Sequence, residues 1–449
     1  MSQQPALRGG DLARDFGGMR RAEPAIVRSV SSAEMACAAI AEAQVAGLQV
    51  AVRGLGHSCN GQTLAEEGFL LDLSGLVGVD HVGEGYCDVL AGTTWGEVIR
   101  GTLPTGQVPA VLPDYMGLTV GGTVSIGGLG GTSFREGMIC EQMLWADVIK
   151  PDGAMVRCSS DENAELFALV KGGAGQFGVI ARLRLKLVDA PAEVDCYRLF
   201  YRDAEAMVAD QLALLDVAGL WHLGGWILPL PYGWTPCIEA VVPAGSKAIG
   251  KALPALLALP TTKVDRLSLG QFLHRLELNP AFPCDRGNDA HVHPWATAFI
   301  PAANAARYAA ELMSSFPADQ MGPAGVIELY PVPVSRLGQM GQRWGGQGVT
   351  YIASAFPCQT DTSTAALAAS EARNRRLFDL ALELDGLGDP QVGALRLSAD
   401  DWRRQLGPAI GSLQAARHHH DPENRFKPLH GLGGITGAGR DANAPKENA

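Results

Sequence analysis

The sequence lacks any long apolar run. None of its 449 residues belongs to an uninterrupted apolar stretch of about 18 residues, the length that crosses a bilayer. The segment Met1–Gly18 is polar and also lacks the apolar core, about 7–15 residues long, of a secretory signal. We therefore expect a cytoplasmic protein without a membrane span.

Basic residues and ordered cysteine spacings are also scarce. The 36 Lys and Arg residues face 47 Asp and Glu residues, which gives a net charge of −11 at pH 7. This charge argues against nucleic acid or an anionic membrane as the partner, and any phosphate is expected to be held by backbone N–H groups. The nine cysteines are scattered, and no two follow the Cys-x-x-Cys spacing. The spacing argues against structural zinc and disulfides and favours a reducing cytoplasm.

What the sequence does contain is typical of a large globular protein. Hydrophobic residues make up 47% and charged residues 18%, and the length favours two or three domains. Strands and helices mix up to a Pro/Ala-rich boundary at Asp189–Glu193, and the region beyond it predicts an antiparallel sheet covered on one side by long helices. We expect an α+β fold divided into a leader at 1–22, a first domain at 23–190, a second at 191–417 and a disordered tail at 433–449.

A loop with two glycines follows the predicted strand that ends at Arg53. Gly54 and Gly56 stand one residue apart, and His57 comes next. Glycine permits unusual backbone angles and lets a ligand approach the main chain closely. A histidine after such a turn can meet that ligand, although a locally hydrogen-bonded loop histidine is the alternative.

Two further glycine-rich segments follow. Eight glycines fall between Gly117 and Gly137, with apolar residues among them, which favours a packed loop over a mobile linker. Gly173–Gly178 has the G-x-G-x-x-G spacing, but a predicted helix precedes it and the strand-like Ile180–Leu187 follows. A Rossmann unit has the opposite order. We interpret this segment as another wall of the same ligand pocket.

Together these motifs resemble the flavoprotein oxidases of the vanillyl-alcohol oxidase / p-cresol methylhydroxylase type, and within them cytokinin dehydrogenase. The resemblance covers about residues 25–430, and it implies a two-domain fold of the PCMH type. The FAD-binding domain would combine 23–190 with a return at 418–432, and 191–417 would form an antiparallel-sheet substrate cap. The matching segments are Arg53–Ser58, Asn60–Gln62, Asp114-Tyr115, Leu118–Ser125, Phe134–Gly137, Gly172–Gly178, His293–Trp295, Leu329–Pro331 and Asp421-Pro422.

The resemblance implies that FAD is covalently bound through His57, by a bond from an imidazole nitrogen to the 8-methyl carbon of the flavin. Some relatives add a cysteinyl bond, but no cysteine occurs from Asp114 to Ile139. A single covalent link is therefore expected, with Cys59 as a small buried filler. The other expected cofactor contacts are Gly54, Leu55, Gly56, Ser58, Gln62, Thr119, Ser125 and Ile180.

Two acids are the candidate catalytic residues. In the resemblance Asp114 faces the substrate amine, where a carboxylate can accept an N–H group or its proton; a turn residue after Pro113 is the alternative. Glu239 lies within an apolar strand, where a charge needs a partner or a ligand; a solvated strand face is the alternative. The run His418–His420 has no second metal-binding cluster in the sequence, so we interpret it as a helix end and expect no metal.

The expected reaction is the oxidation of an amine C–N bond to an imine by hydride transfer to the flavin, with oxygen or a quinone as electron acceptor. Leu337, Val392 and Gly393 stand where the plant enzymes of this family carry larger side chains, which suggests a wider cavity. The alternative is therefore a tailoring oxidase that acts on an alcohol or a ring carbon of a secondary metabolite. A flavin-binding protein without turnover is a third possibility.

Overall fold

The computed structural model describes residues 11–278, 291–322, 324–338, 344, 346–389 and 391–432. The expected tail at 433–449 and the first ten residues of the leader lie outside the described residues. The strands are β1 Ile26–Ser29, β2 Val50–Arg53, β3 Phe69–Asp72, β4 Val79–Gly83, β5 Tyr86–Leu90, β6 Gln107–Pro109, β7 Met143–Ile149, β8 Met155–Ser159, β9 Val179–Asp189, β10 Glu193–Phe200, β11 His222–Leu230, β12 Gly233–Pro243, β13 Lys263–Ser268, β14 Ala296–Pro301, β15 Val326–Pro333, β16 Val349–Phe356 and β17 Leu387–Gly388. The helices are α1 Ala33–Ala46, α2 Trp95–Thr102, α3 Val120–Ser125, α4 Ser133–Glu136, α5 Ala164–Val170, α6 Ala204–Leu214, α7 Ala248–Ala252, α8 Leu269–Leu273, α9 Ala302–Ser315, α10 Thr364–Glu383, α11 Ala399–Leu406 and α12 Ala409–His420.

The N-terminal half of the chain forms two sheets. Strands β1, β3 and β2 form a parallel sheet in that order, and β4-β5-β9-β7-β8 form an antiparallel sheet in which β6 also pairs with β9. In β9, Leu183 and Leu185 are buried while Arg182 and Arg184 are partly exposed, which is the alternation expected of a strand with one face on a core. Because α5 precedes Gly173–Gly178 and β9 follows it, this segment is not a Rossmann motif.

The second half is built on an eight-stranded sheet with the order β13-β10-β12-β11-β15-β16-β14-β17, in which each neighbouring pair is antiparallel. Residues Ile327 and Leu329 of β15 pack into a core shared with Met207 of α6 and Tyr308 of α9. Side chains at alternate positions, such as Glu328, point to the opposite face of the sheet and line a cavity. The expected α+β class, with an antiparallel sheet backed by helices on one side, is confirmed.

Local signals account for most of the helix boundaries. Thr94 and Glu97 form a capping box at the start of α2, and Gly47 ends α1 with φ +65°. The sequence pattern over 399–418 predicts a single helix, but the chain forms two, because Gly407-Pro408 interrupts the backbone hydrogen bonding between α11 and α12. The pattern over 246–257 also predicts one helix, but the α-helix there is limited to Ala248–Ala252.

Both ends of the described chain meet at the loop after β2. The N–H group of Val50 donates to Arg425 O at 2.7 Å, and that of Lys427 donates back to Val50 O at 2.9 Å. From the other end, the N–H of Phe16 donates to Gly56 O at 2.8 Å. Residues 11–22, expected to be a loose leader, are therefore packed against the glycine loop, and the loop is held from both sides.

Among the described residues, no helix combines the length and the apolar character that crossing a membrane requires.

Candidate active site

A cavity of about 750 Å³ lies between the glycine-rich loops and the face of the eight-stranded sheet that carries Glu239 and Glu328. This volume lies within the range of pockets that enclose a cofactor or a drug-sized ligand. One wall consists of backbone from the three glycine-rich segments, and the other of side chains from β11, β12, β14, β15 and β16. The segments that the sequence analysis treated as walls of one pocket do line one cavity.

Every predicted site residue lies on the wall of this cavity. The residues are His57, Gly54, Leu55, Gly56, Ser58, Gln62, Thr119, Ser125, Ile180, Asp114 and Glu239. Two of the expected hydrogen-bonding side chains already have partners within the protein. The hydroxyl of Ser58 donates to Asp15 at 2.9 Å, and the amide of Gln62 donates to Gln391 O at 3.0 Å. The contact that each makes with a ligand is therefore limited by these bonds.

His57 presents a free ring nitrogen in this cavity. Its Nδ1 atom is buried, and no hydrogen-bond partner for it occurs in the described part of the chain. The ring lies between Phe16 and Tyr115, at centroid distances of 5.4 and 5.3 Å. Burial, together with the nearby Arg53 guanidinium, lowers the pKa of His57 to about 4. The imidazole is therefore neutral at pH 7, and its nitrogen lone pair is available for bonding.

The two glycines before His57 are required by close packing. Gly56 has φ +76°, and a side chain there would meet the guanidinium of Arg53. A Cβ atom at Gly54 would lie 2.5 Å from Oγ1 of Thr119, the residue that starts α3. The backbone of Gly54 therefore packs directly against the side chain of Thr119, which fixes the position of His57 relative to the second segment.

Asp114 and Glu239 are joined by an arginine that the sequence analysis missed. Arg275, which follows α8, lies 2.5 Å from Oδ1 of Asp114 and 2.9 Å from Oε1 of Glu239, both measured from its Nη2 atom. Its side chain is only 12% exposed, so this ion-pair cluster is shielded from solvent. Arg275 therefore joins the two predicted acids on the lining of the cavity.

Glu239 is not on a solvated strand face. It is 4% exposed, and its carboxylate also lies 3.5 Å from Nε2 of His222. Burial by itself raises the pKa of Glu239, but the charge of Arg275 and the contact with His222 outweigh it and hold the pKa at about 2. Glu239 is therefore ionised over the whole physiological range.

A third acid, Glu328, completes the cluster and was also missed. It is buried on β15, between Trp226 of β11 and Ser354 of β16. Burial and the hydrogen-bonded neighbour Asp114 raise the pKa of Glu328 well above its usual range. Burial and the neighbouring carboxylate of Asp114 therefore favour the protonated form of Glu328. The sequence held the same signal as for Glu239, a single acid inside an apolar strand.

Two further charged residues line the cavity away from this cluster. Nζ of Lys427 donates to the carbonyls of Gly61 and Leu64 at 2.7 and 2.6 Å, and burial lowers the pKa of Lys427 to about 8. Asp389, next to β17, is partly buried, and loss of solvation raises its pKa to about 6. Lys427 thereby connects the C-terminal segment to the loop that carries His57.

The positions expected to widen the cavity only partly do so. Val392 lies on the cavity wall, but Leu337 is buried in the neighbouring core. Gly393 does not line this cavity among the described residues. The sheet wall of the cavity still presents large aromatic side chains, including Trp226, Trp295, Phe299, Tyr330 and Phe356. The argument for a wider cavity therefore rests on Val392 alone.

Three cysteines, Cys59, Cys237 and Cys358, lie on the cavity wall, whereas the run His418–His420 does not line the cavity. Cys59 is 2% exposed, as expected of a buried filler, and Tyr115 rather than a cysteine lies beside His57. Cys284 lies outside the described residues. His419 and His420 approach Glu165 with ligand atoms within 4.8 Å of one another, in a group that could hold a metal ion and that the sequence did not reveal.

Replacing Arg275 with methionine is expected to destabilise the protein by about 3–5 kcal/mol at pH 7, because two buried carboxylates lose their cation. With Arg275 present, Glu239 has a pKa below the ordinary 4.5, so this stabilisation is complete above pH 4.5 and is lost as the pH falls towards 2. In Arg275→Met the carboxyl group of Glu239 can instead take up a proton. The difference in the free energy of unfolding between the variant and the wild type should therefore be smaller at pH 4 than at pH 7. Urea unfolding at pH 7 and pH 4 measures both effects.

Arg403→Met is the matched control, since Arg403 forms an exposed ion pair on α11. An equal loss of stability in the two variants, or a loss in Arg275→Met that does not depend on pH, would contradict the buried cluster.

Comparison with known proteins adds family relationships to this geometry. Residues 24–159 match the family described as FAD binding domain, and residues 248–431 match the family described as cytokinin dehydrogenase 1, FAD and cytokinin binding. An uncharacterized oxidoreductase of the fasciation locus of Rhodococcoides fascians is 30% identical over 428 residues, which cover 92% of this chain and 94% of that protein. Cytokinin dehydrogenase 8 of Oryza sativa subsp. indica is 30% identical over 490 aligned residues, which cover 94% of this chain and 89% of that protein.

Solved structures share the fold at lower identity. The structure of 6-hydroxy-D-nicotine oxidase from Arthrobacter nicotinovorans superposes with a TM-score of 0.71 at 20% identity, over 93% of each chain. Glucooligosaccharide oxidase from Acremonium strictum, whose flavin is described as 6-S-cysteinyl, 8α-N1-histidyl FAD, superposes with a TM-score of 0.76 at 17% identity, over 96% of this chain and 95% of its own. At these identities the likeness concerns the fold alone.

Proposed function

Because the chain belongs to the cytokinin dehydrogenase family of FAD-dependent oxidoreductases, we propose that it carries FAD on a single covalent bond to His57 and oxidises an amine C–N bond to an imine. The observation that carries the proposal is a cavity with an unpartnered imidazole nitrogen on its loop wall and the Asp114–Arg275–Glu239 cluster on its substrate side. Residues 23–190 with 418–432 would hold the flavin, and 191–417 would form the cap.

The residues present fit a flavin dinucleotide. The loop wall is glycine backbone, which can approach pyrophosphate closely and donate N–H groups without a basic patch. The free Nδ1 atom of His57 lies in the same cavity, and its neutral state suits it to act as a nucleophile. Gly54, Leu55, Gly56, Ser58, Gln62, Thr119, Ser125 and Ile180 are the proposed contacts along this wall.

The bound flavin supplies the hydride acceptor for the reaction. Asp114 would accept the N–H group of the substrate amine and take its proton as the C–H bond breaks. Arg275 fixes the orientation of the Asp114 carboxylate, and Glu239 shares the same guanidinium. Aromatic side chains from the cap strands, such as Trp226 and Phe299, would exclude water around the reacting atoms.

Oxidation of an alcohol or a ring carbon is the second candidate function. Apart from those of His57 and Glu239, three buried polar atoms of residues on the cavity wall have no hydrogen-bond partner in the described ranges, namely Nε1 of Trp295, Oγ1 of Thr297 and Oε1 of Gln391. All three belong to residues on the cavity wall, so they could bind the hydroxyl groups of a larger substrate. The fold likeness to an oligosaccharide oxidase is compatible with this alternative but does not select it.

Anaerobic mixing with candidate donors tests the proposal. We expect an amine, with N6-substituted adenines tried first because of the named relatives, to bleach the flavin absorbance near about 450 nm within seconds, since hydride transfer reduces the flavin. Readmission of oxygen or addition of a quinone then identifies the acceptor. Bleaching by alcohols but not by amines would favour the second function, and no bleaching by either class would favour a flavin-binding protein without turnover.

A further inference from the structure

We propose that Glu328 is a specificity-determining residue that makes this site select basic amines, which enter as cations in exchange for the proton that Glu328 and Asp114 share. The inference rests on the proposed amine oxidation and narrows its substrate class. It follows from the composition and geometry of the acid cluster in the cavity.

The cluster contains three carboxyl groups and one guanidinium group. Arg275 pairs with Asp114 and with Glu239 at 2.5 and 2.9 Å, so its single charge is already shared between two carboxylates. Glu328 adjoins Asp114 by a hydrogen bond and lines the same cavity. With Glu328 protonated, these four groups carry a net charge of −1, which is an attractive environment for a cation.

A neutral aryl amine leaves this arrangement unchanged, but a cation does not. When an ammonium group binds beside Glu328, the carboxyl can lose its proton to solvent and become the counter-ion. The four groups and the ligand together then carry the same net charge of −1 as the empty cluster, so no additional buried charge is created. In the reaction the bound ammonium would pass one proton to Asp114. The nitrogen lone pair that this frees would form the C=N bond as the C–H electron pair leaves as hydride, for which a bound flavin would be the acceptor.

Aromatic residues around Glu328 also favour a cation. Trp226 is its cross-strand partner on β11, and Tyr330 lies two residues further along the same strand face. Both side chains line the cavity, where their ring faces can stabilise an ammonium group. A site for a neutral purine alone would not need a third carboxyl group at this position.

The groups that can influence the proton on Glu328 come from every element packed against it. Asp114 on the second glycine segment disfavours ionisation, and Arg275 after α8 favours it. Glu239 on β12 acts through Arg275, and Tyr330 on β15 is the neighbouring phenol. Ser354 of β16, directly opposite Glu328, carries no charge. The proton exchange is therefore a property of Glu328 and Asp114 together with Arg275.

The test measures binding of a cation that cannot be oxidised to an imine. Phenyltrimethylammonium has no nitrogen lone pair, and tert-butylbenzene is its neutral isostere. In weakly buffered indicator solution at pH 7, the wild-type flavoprotein is expected to release about one proton per phenyltrimethylammonium bound. Glu328→Gln should release none and bind this cation about tenfold more weakly, with unchanged affinity for tert-butylbenzene.

Glu383→Gln, an exposed residue at the end of α10, is the matched control and should behave as wild type. Thermal unfolding of Glu328→Gln verifies that the fold is retained, and Glu328→Asp, which keeps the carboxyl group, should restore proton release. Equal proton release by Glu328→Gln, or equal affinity of the wild type for the cation and its isostere, would overturn the inference. Because no turnover is needed, these outcomes are independent of whether any amine bleaches the flavin.

Discussion

Acid-precipitated His57→Ala protein is expected to be colourless, whereas the acid-precipitated wild type stays yellow and its band fluoresces on a denaturing gel. A covalent flavin survives unfolding, and a non-covalent one is washed out. The expectation follows from the buried Nδ1 atom of His57, which has no partner in the described chain, and from its position on the cavity wall. In the variant the cavity remains, so FAD should still bind reversibly while the fluorescence of the denatured band is lost completely.

Two histidine variants separate attachment from general damage. His293→Ala removes a ring of the same cavity wall, stacked on Phe16 at 4.0 Å, and His81→Ala removes an exposed ring on β4. Both should keep the fluorescent band. A fluorescent band in His57→Ala would place the bond at another residue, and loss of fluorescence in both His57→Ala and His293→Ala would point to a disturbed cavity instead.

The rate of flavin attachment should also depend on pH in a defined direction. The pKa of His57 is about 4, so its imidazole is neutral and nucleophilic above this pH. When apoprotein is mixed with FAD, protonation of His57 should therefore leave the rate of flavin attachment nearly constant between pH 8 and about 5. A marked loss of rate near pH 6.5, the ordinary pKa of histidine, would show that the nucleophile is not held in this buried state.

The fold was predictable wherever the signal is local. The turn Pro151–Gly153 joins β7 and β8 as expected, and the alternation after Gly178 correctly predicted β9. Strands β13 and β14 were not predicted, because β13 is a largely exposed sheet edge and β14 is a short apolar run followed directly by α9. Whether such a segment forms a strand depends on its pairing with other strands, and the local sequence does not reveal those partners.

Prediction of the charged cluster in the cavity was limited in the same way. Glu239 was found because a single acid in an apolar strand needs a partner, and the same rule applied to Val326–Pro333 would have indicated Glu328. Arg275 had no such signal. It follows α8 in an ordinary polar stretch, and its partner Asp114 lies 161 residues away in the sequence. Only the fold shows that the two predicted acids share one cation.

Replacing Asp114 with asparagine is expected to lower kcat/KM for an amine substrate by about 10²–10³-fold. The amide can still accept a hydrogen bond, but it cannot take the proton that leaves the nitrogen as the C–H bond breaks. The substitution also removes one of the two carboxylates that pair with Arg275, while Glu239 keeps its own contact with the guanidinium group. Most of the loss should therefore appear in the rate of flavin reduction, measured by anaerobic stopped-flow absorbance, and less in KM.

The same variant distinguishes the two proposed functions. A substrate that has no N–H group to present to Asp114, such as an alcohol, depends on a different base. For such a substrate kcat/KM should fall by less than about tenfold in Asp114→Asn. Asp400→Asn, at an exposed position on α11, controls for the removal of a carboxylate and should leave both rates unchanged. Equal losses for amine and alcohol would mean that Asp114 only supports the cavity. A large loss confined to amines would identify it as the group that accepts the substrate proton, because Arg275 and Glu239 remain in place in both reactions.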